Sequence, residues 1–462
     1  MDKKPELFLA KVAFAVFIYS VFAMMAYQIG IIEYMSDTAS NGLLAGDPQY
    51  YHRLSVDVSE KITSEGWGAW RLRPDGQGSA GLLSILYYFV GPYPWLVILI
   101  NSLSHALASV FLIIVLNRVV SVRYASIASL YFIVSPFQMH WLSQINKESY
   151  VILGVFVFFY GVVLFCERKR YHGCVGLCWM LVGAAIISIA RPYIVQILFI
   201  ASIMLGLLTI FFSIKKNELR GMGFSLLVFS LLFIPLMSGG ESDRIISAAS
   251  FSDNKLTSSF VDEMASDYLI EGTNDIVVRK YSIWFESDWL PKLVDEKLFA
   301  ISFSRMPYEL LKNSPNATIK ALILTDEAEF HSASDIILYL PRALQVSLFA
   351  PFPTYWPLFS DINDGSTFRL MTSIELFIAY ISFIFLAYGL YRYRLWKFSI
   401  PIFYMLFVLQ VYGFAIPHIG TLYRYKYSYF ILLVSLGLAL FFKCWAERRI
   451  KFHDITHDKE GL

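Results

Sequence analysis

A chain of 462 residues that is 57% hydrophobic and only 16% charged lacks the polar surface that a soluble globule of this size needs. A net charge of +2 argues for no particular partner, and no basic block suggests nucleic acid, which is not expected as a partner. The expected fold class is an all-α polytopic membrane protein, because several apolar runs reach the roughly 20 residues that cross a bilayer.

In chain order, about ten transmembrane helices are expected, near 9–32, 94–117, 124–139, 150–166, 174–190, 193–213, 221–238, 371–390, 398–415 and 427–443. The first run is too long for a signal-peptide core and no convincing cleavage site follows it, so it reads as a retained anchor. Clusters such as Lys3/Lys4/Lys11, Arg168/Lys169/Arg170, Lys215/Lys216/Arg220 and Arg448/Arg449/Lys451 fall on one side when the spans alternate. Excess Lys and Arg marks the cytoplasm, which places both termini there. Cys166, Cys174, Cys178 and Cys444 lie within or beside apolar runs and imply no disulfide framework. Three regions follow: an N-terminal membrane module over 1–238, an outer-face segment over 239–370, and C-terminal membrane helices with a tail over 371–462.

Three pieces are expected on the outer face. The first is the loop 33–80, with Gly46-Asp47-Pro48-Gln49-Tyr50-Tyr51-His52-Arg53 and then Trp67-Gly68-Ala69-Trp70-Arg71-Leu72-Arg73-Pro74-Asp75-Gly76. Ala80 to Val90, ended by Gly91-Pro92, is too short to span and reads as a re-entrant or interfacial helix. The third is the polar segment 239–334, with helical periodicity at Ser258 to Ile270 and at Val294 to Lys312 and a sequon at Asn316. Beyond it, Asp335 to Trp356 is apolar but interrupted by Pro341-Arg342, and is expected to lie on or dip into the outer face.

Ionisable groups at membrane depth are costly and are usually paired or functional. Asp47, Arg73, Asp75, Lys147, Glu148, Arg191, Arg342, Arg424 and Lys426 all fall at outer ends of spans or in outer loops. A carboxylate can take a proton from an acceptor hydroxyl while Arg and Lys hold a departing phosphate. Tyr50, Tyr51 and His52 beside Asp47 are the candidate sugar contacts. Each residue also has a plainer reading. Asp47-Pro48 is a common helix start, Arg71, Arg73 and Asp75 surround an Asp-Gly turn, and Arg191 and Arg424 can snorkel to lipid phosphates.

These residues resemble the GT-C superfamily of polytopic glycosyltransferases that use polyprenyl-phosphate sugars. The resemblance rests on Asp47 in GDPQYY, Glu148 in NKES and the run Gly420-Thr421-Leu422-Tyr423-Arg424-Tyr425, which is also similar to a segment of surface-polysaccharide polymerases. It implies an inverting transferase in a bacterial inner membrane, working on the periplasmic face in surface polysaccharide or glycolipid assembly. Its partners are a polyprenyl-phosphate-linked sugar donor and a glycan or glycolipid acceptor. Asp47 would be the catalytic base; Glu148 and Asp75 would contact the acceptor or a divalent cation, magnesium or manganese. Lys147, Arg191, Arg424, Lys426, Arg73 and Arg342 would hold the phosphate. Many members carry a second acid beside the first, where this chain has Pro48. A repeat-unit polymerase is the nearest alternative, and a flippase or transporter the next. Transporters commonly show internal repeats, and none stands out here.

Overall fold

The computed structural model describes residues 5–32, 39–167, 170–212, 217–237, 283–306, 308, 328–356, 366–395 and 398–460. Among them the regular structure is helical, with no strand beyond isolated bridges. The helices are α1 (Pro5–Met25), α2 (Asp47–Glu65), α3 (Gly78–Val90), α4 (Leu96–Leu116), α5 (Val122–Ile133), α6 (Pro136–Leu142), α7 (Glu148–Cys166) and α8 (Arg170–Ala190). They continue as α9 (Pro192–Phe212), α10 (Asn217–Ser230), α11 (Lys292–Phe303), α12 (Ala333–Phe349), α13 (Ser366–Arg392), α14 (Ser399–Ala415) and α15 (Ile419–Glu460).

Seven helical stretches among the described residues are long and apolar enough to cross a membrane: Glu6–Ile31, Leu96–Leu116, Glu148–Cys166, His172–Ala190, Pro192–Phe211, Leu370–Arg392 and Ile419–Arg448. This is a helical, multi-pass membrane architecture. The other three expected spans are shorter or broken. Pro136 separates α5 from α6, α10 gives way to a 3₁₀ turn at Leu231–Phe233, and α14 has only 17 residues. Proline lacks the amide hydrogen a helix interior needs, so it starts α6 rather than extending α5.

The chain divides into two compact units rather than three consecutive regions. One comprises 1–238, 374–405 and 428–462; the other comprises 239–373 and 406–427. The expected C-terminal membrane region is therefore no separate body, since most of it belongs to the first unit. Within that unit the Ser382 hydroxyl on α13 donates to Val434 O on α15 at 2.6 Å.

Helices α7 and α8 pack with glycine on both sides. A Cβ on Gly161 would lie 2.6 Å from Gly176 O, and one on Gly183 would lie 2.6 Å from Gly154 O. Backbones approach this closely only where side chains are absent, as is common between membrane helices. The pairing fixes the turn before α7 against the turn after α8. Those two turns carry Lys147-Glu148 and Arg191.

In the second unit, Ser332 and Asp335 form a reciprocal capping box at the start of α12. The helix runs through Pro341 without breaking, so the expected interruption there is corrected: the proline removes one amide donor and the helix continues to Phe349. Phe330, Ile336, Ala343 and Phe414 form its core. Arg305 sits among them, donating to Phe414 O at 2.7 Å with its guanidinium 5.1 Å from the Phe330 ring centre. The expected helix near Val294 is α11; Ser258 to Ile270 and Asn316 lie outside the described residues.

Candidate functional site

Asp47 is the first residue of α2, after Gly46, whose φ of +89° suits glycine. Asp47-Pro48 does start the helix, with Gly46 as the N-cap and Asp47 exposed in the first turn. The amides that open a helix are a favourable setting for a carboxylate. The next residues of α2 bury one face at helical spacing, with Pro48, Tyr51, Leu54, Ser55, Val58 and Ile62 inside. Burying Tyr51 and Leu54 in a core with Leu83, Met139 and Ile145 is worth about 1.5–3 kcal/mol each.

The segment leading into Asp47 is tied to the segment leading into Glu148. Leu44 N donates to Gln144 Oε1 at 2.8 Å, and Gln144 Nε2 donates to Gly42 O at 3.0 Å. Gln28 Nε2 holds Ser143 O at 2.9 Å. Asn101 Nδ2 holds Leu142 O at 2.7 Å and Gln144 O at 3.1 Å, and Asn101 accepts from Ser149 at 2.7 Å. These amides satisfy backbone groups that no helix covers. One turn further along α2, the Lys147 ammonium lies 5.6 Å from the Tyr51 ring centre. Glu148 Oε1 accepts from Arg191 Nη2 at 2.6 Å, with side-chain exposures of 7% and 3%. Arg73 Nη1 donates to Ser188 O at 3.0 Å, in the last turn of α8.

In the first unit, Gln144 thus ties the loop before Asp47 to the loop before Lys147, Glu148 pairs with Arg191, and Arg73 reaches the last turn of α8. Arg342, Arg424 and Lys426 belong to the other unit.

A pocket of about 340 Å³ opens on the exposed side of α2, lined by Tyr50, His52, Arg53, Leu54, Val56, Asp57 and Asp75. Tyr50 Oη donates to Asp75 Oδ2 at 3.4 Å, and His52 Nδ1 shares a 2.8 Å hydrogen bond with the Tyr87 hydroxyl. Burial first, and the Arg53 charge second, push His52 below the usual imidazole range, so it is neutral at neutral pH. Asp75 adopts a positive φ of 46° in the turn it shares with Gly76.

Several expected roles change. Tyr51 is 4% exposed and packs into the core, so its ring is not offered to a sugar; of the three expected contacts, Tyr50 and His52 line the pocket. Lys426 is fully buried, with Nζ donating to Ala350 O at 2.6 Å and the Tyr423 ring 5.3 Å away, which leaves no open ammonium for a phosphate. Arg342 bonds Gln345 Oε1 at 2.8 Å and stacks 5.0 Å from the Phe352 ring centre. Among the described residues no three His, Cys, Asp or Glu side chains converge as a ready-made cation site, and the Glu148 carboxylate is engaged by Arg191.

Sequence reasoning assigned no role to Arg53, which closes the Asp47 stretch, or to Asp57; both line the pocket, three and seven residues from Tyr50 on one helix face. It also missed Glu375, which is buried within α13, accepts from the Ser135 hydroxyl, and offers its backbone carbonyl to Tyr131 Oη at 2.8 Å. A lone carboxylate in an apolar run was the available signal. Compared with known proteins, the chain matches no family model and no curated sequence.

Proposed function

We propose that the chain is a membrane glycosyltransferase moving a sugar from a polyprenyl-phosphate carrier to a hydroxyl acceptor. The reading rests chiefly on the junction of the Asp47 loop with the Lys147-Glu148 turn through Gln144, backed by Arg191 on Glu148. In the reaction, the acceptor oxygen forms a bond to the anomeric carbon while the bond from that carbon to the phosphate oxygen breaks. The attacking face is opposite the leaving group, so the configuration inverts. Asp47 takes the acceptor proton, and the polyprenyl phosphate leaves with the bonding pair.

Lys147, half-buried beside Tyr51, is the better-placed cation for the leaving phosphate. Arg191 and Glu148 act as the neutralised pair that holds its turn. The reading carries ten crossings, with the three shorter helical regions completing them, both termini in the cytoplasm and the site on the outer face of the inner membrane. Residues 122–142, taken through the Pro136 break, would cover about 30 Å at 1.5 Å per residue.

The test is transfer of a labelled sugar from a polyprenyl-phosphate donor by the purified chain in liposomes. Asp47→Asn keeps the side-chain size and removes the base, and should reduce transfer at least a hundredfold with the protein still folded. Full activity in that variant would remove Asp47 from the mechanism. No transfer by the wild-type chain with any polyprenyl-linked donor would remove the function.

A further inference from the structure

We infer that the pocket on α2 is a saccharide subsite, which takes a neutral or amino sugar of the acceptor and not the donor's phosphate. The word acceptor rests on the glycosyl-transfer reading; sugar binding in the pocket does not.

The chemistry of the lining carries the argument. Asp57, Asp75 and Arg53 are exposed planar groups able to pair with adjacent hydroxyls, the Asp carboxylates accepting and the guanidinium donating. Tyr50, 39% exposed, offers an aromatic face beside them, and Leu54 and Val56 add apolar wall. A volume of about 340 Å³ is at the small end of the roughly 300–1,000 Å³ of ligand pockets, the size for one or two sugar rings. Two carboxylates face one guanidinium, and His52 is neutral at neutral pH, so the lining has a net negative sign. A phosphate is repelled there by the same charges that accept hydroxyl hydrogens. An amino sugar gains an attractive partner.

The placement also supplies a direction. Tyr50 follows Asp47 by three residues on the same helix, and side chains at that spacing are neighbours, about 5–6 Å apart between Cβ atoms. A glycan whose terminal hydroxyl meets Asp47 therefore lays its adjoining ring toward Tyr50 and Asp75. The pocket then selects the acceptor by more than its last sugar.

The full chain in nanodiscs is titrated with methyl glycosides and disaccharides of glucose, galactose, N-acetylglucosamine and glucosamine, with inorganic phosphate as the anionic arm. Binding is read by saturation-transfer NMR. At least one neutral or amino sugar should bind, at least tenfold more tightly than phosphate, and Asp57→Asn/Asp75→Asn should weaken that binding at least tenfold. Tyr50→Ala, a second and independent variant, should weaken it by a similar factor. No sugar binding at tens of millimolar, unchanged binding in both variants, or tighter binding of phosphate each overturns the subsite. The two readings fail separately. Sugar binding abolished in the variants, without transfer by the wild type, keeps the subsite and removes the transferase. Transfer with an acceptor KM unchanged in Asp57→Asn/Asp75→Asn keeps the transferase and overturns the assignment of the pocket to the acceptor.

Discussion

Removing Glu148 tests whether the turn before α7 is held by charge. Its carboxylate lies 2.6 Å from Arg191 Nη2, and both side chains are almost wholly buried. Replacing Glu148 with Leu leaves a guanidinium enclosed without its counter-charge, a change that costs about 3–5 kcal/mol in buried pairs. Glu148→Gln keeps an acceptor but loses the charge assistance, which roughly doubles a hydrogen bond's strength, so it should fall between. Glu148→Leu/Arg191→Met removes both charges and should recover most of the loss, because the desolvation cost of each ion disappears with it. The assay is reversible unfolding in mixed micelles, run as a double-mutant cycle, with a coupling of at least about 2 kcal/mol expected. If the double variant loses as much as the sum of the two single variants, the pair does not hold the turn and the reasoning fails.

Other outcomes follow from geometry already described. Gly161→Leu at the α7–α8 seam should cost at least about 1–3 kcal/mol of stability by overpacking. Gly173→Ala, with nothing within 4 Å of the added Cβ, should be neutral or mildly stabilising in the same detergent melt. His52 has a folded pKa below its ordinary value, so the unfolded chain takes up the proton first as pH falls. Stability should therefore drop from pH 6.5 downward through the folded value, and His52→Gln should flatten that slope in pH-dependent melts. Ser332→Ala removes one half of the α12 capping box and should cost about 0.5–2 kcal/mol, read as a lowered melting temperature.

The membrane helices were legible because a bilayer demands a long apolar run, and seven such runs recur as continuous helices. The short apolar helix α3 was legible too: Gly91 and Pro92 bound it where its apolar stretch ends. Less visible was what brings the turns together. Asn101 and Gln144 carry no motif in the sequence, yet Asn101 closes the backbone of the loop before Glu148 and Gln144 closes that of the Asp47 loop. No periodicity encodes such a contact, since its partners are 41 to 102 residues apart. Tyr51 misled for a related reason. Its neighbours Tyr50 and His52 face the pocket, and only the helical phase of α2 sends Tyr51 into the core.

That phase also sharpens which carboxylate can act as a base. Glu148 was expected to contact the acceptor or a cation, but its carboxylate is buried against a guanidinium that compensates its charge and favours the ionised form. Asp47 stands exposed in the first turn of α2, the setting the glycosyl-transfer proposal asks of its base. Any carboxylate is a weak base toward an alcohol, so it suits a transition state in which the bond to phosphate is already breaking and the acceptor proton has become acidic. A cation on the departing phosphate then matters as much as the base. Under the glycosyl-transfer proposal that task falls to Lys147, whose ammonium lies 5.6 Å from the Tyr51 ring centre, one helical turn from Asp47.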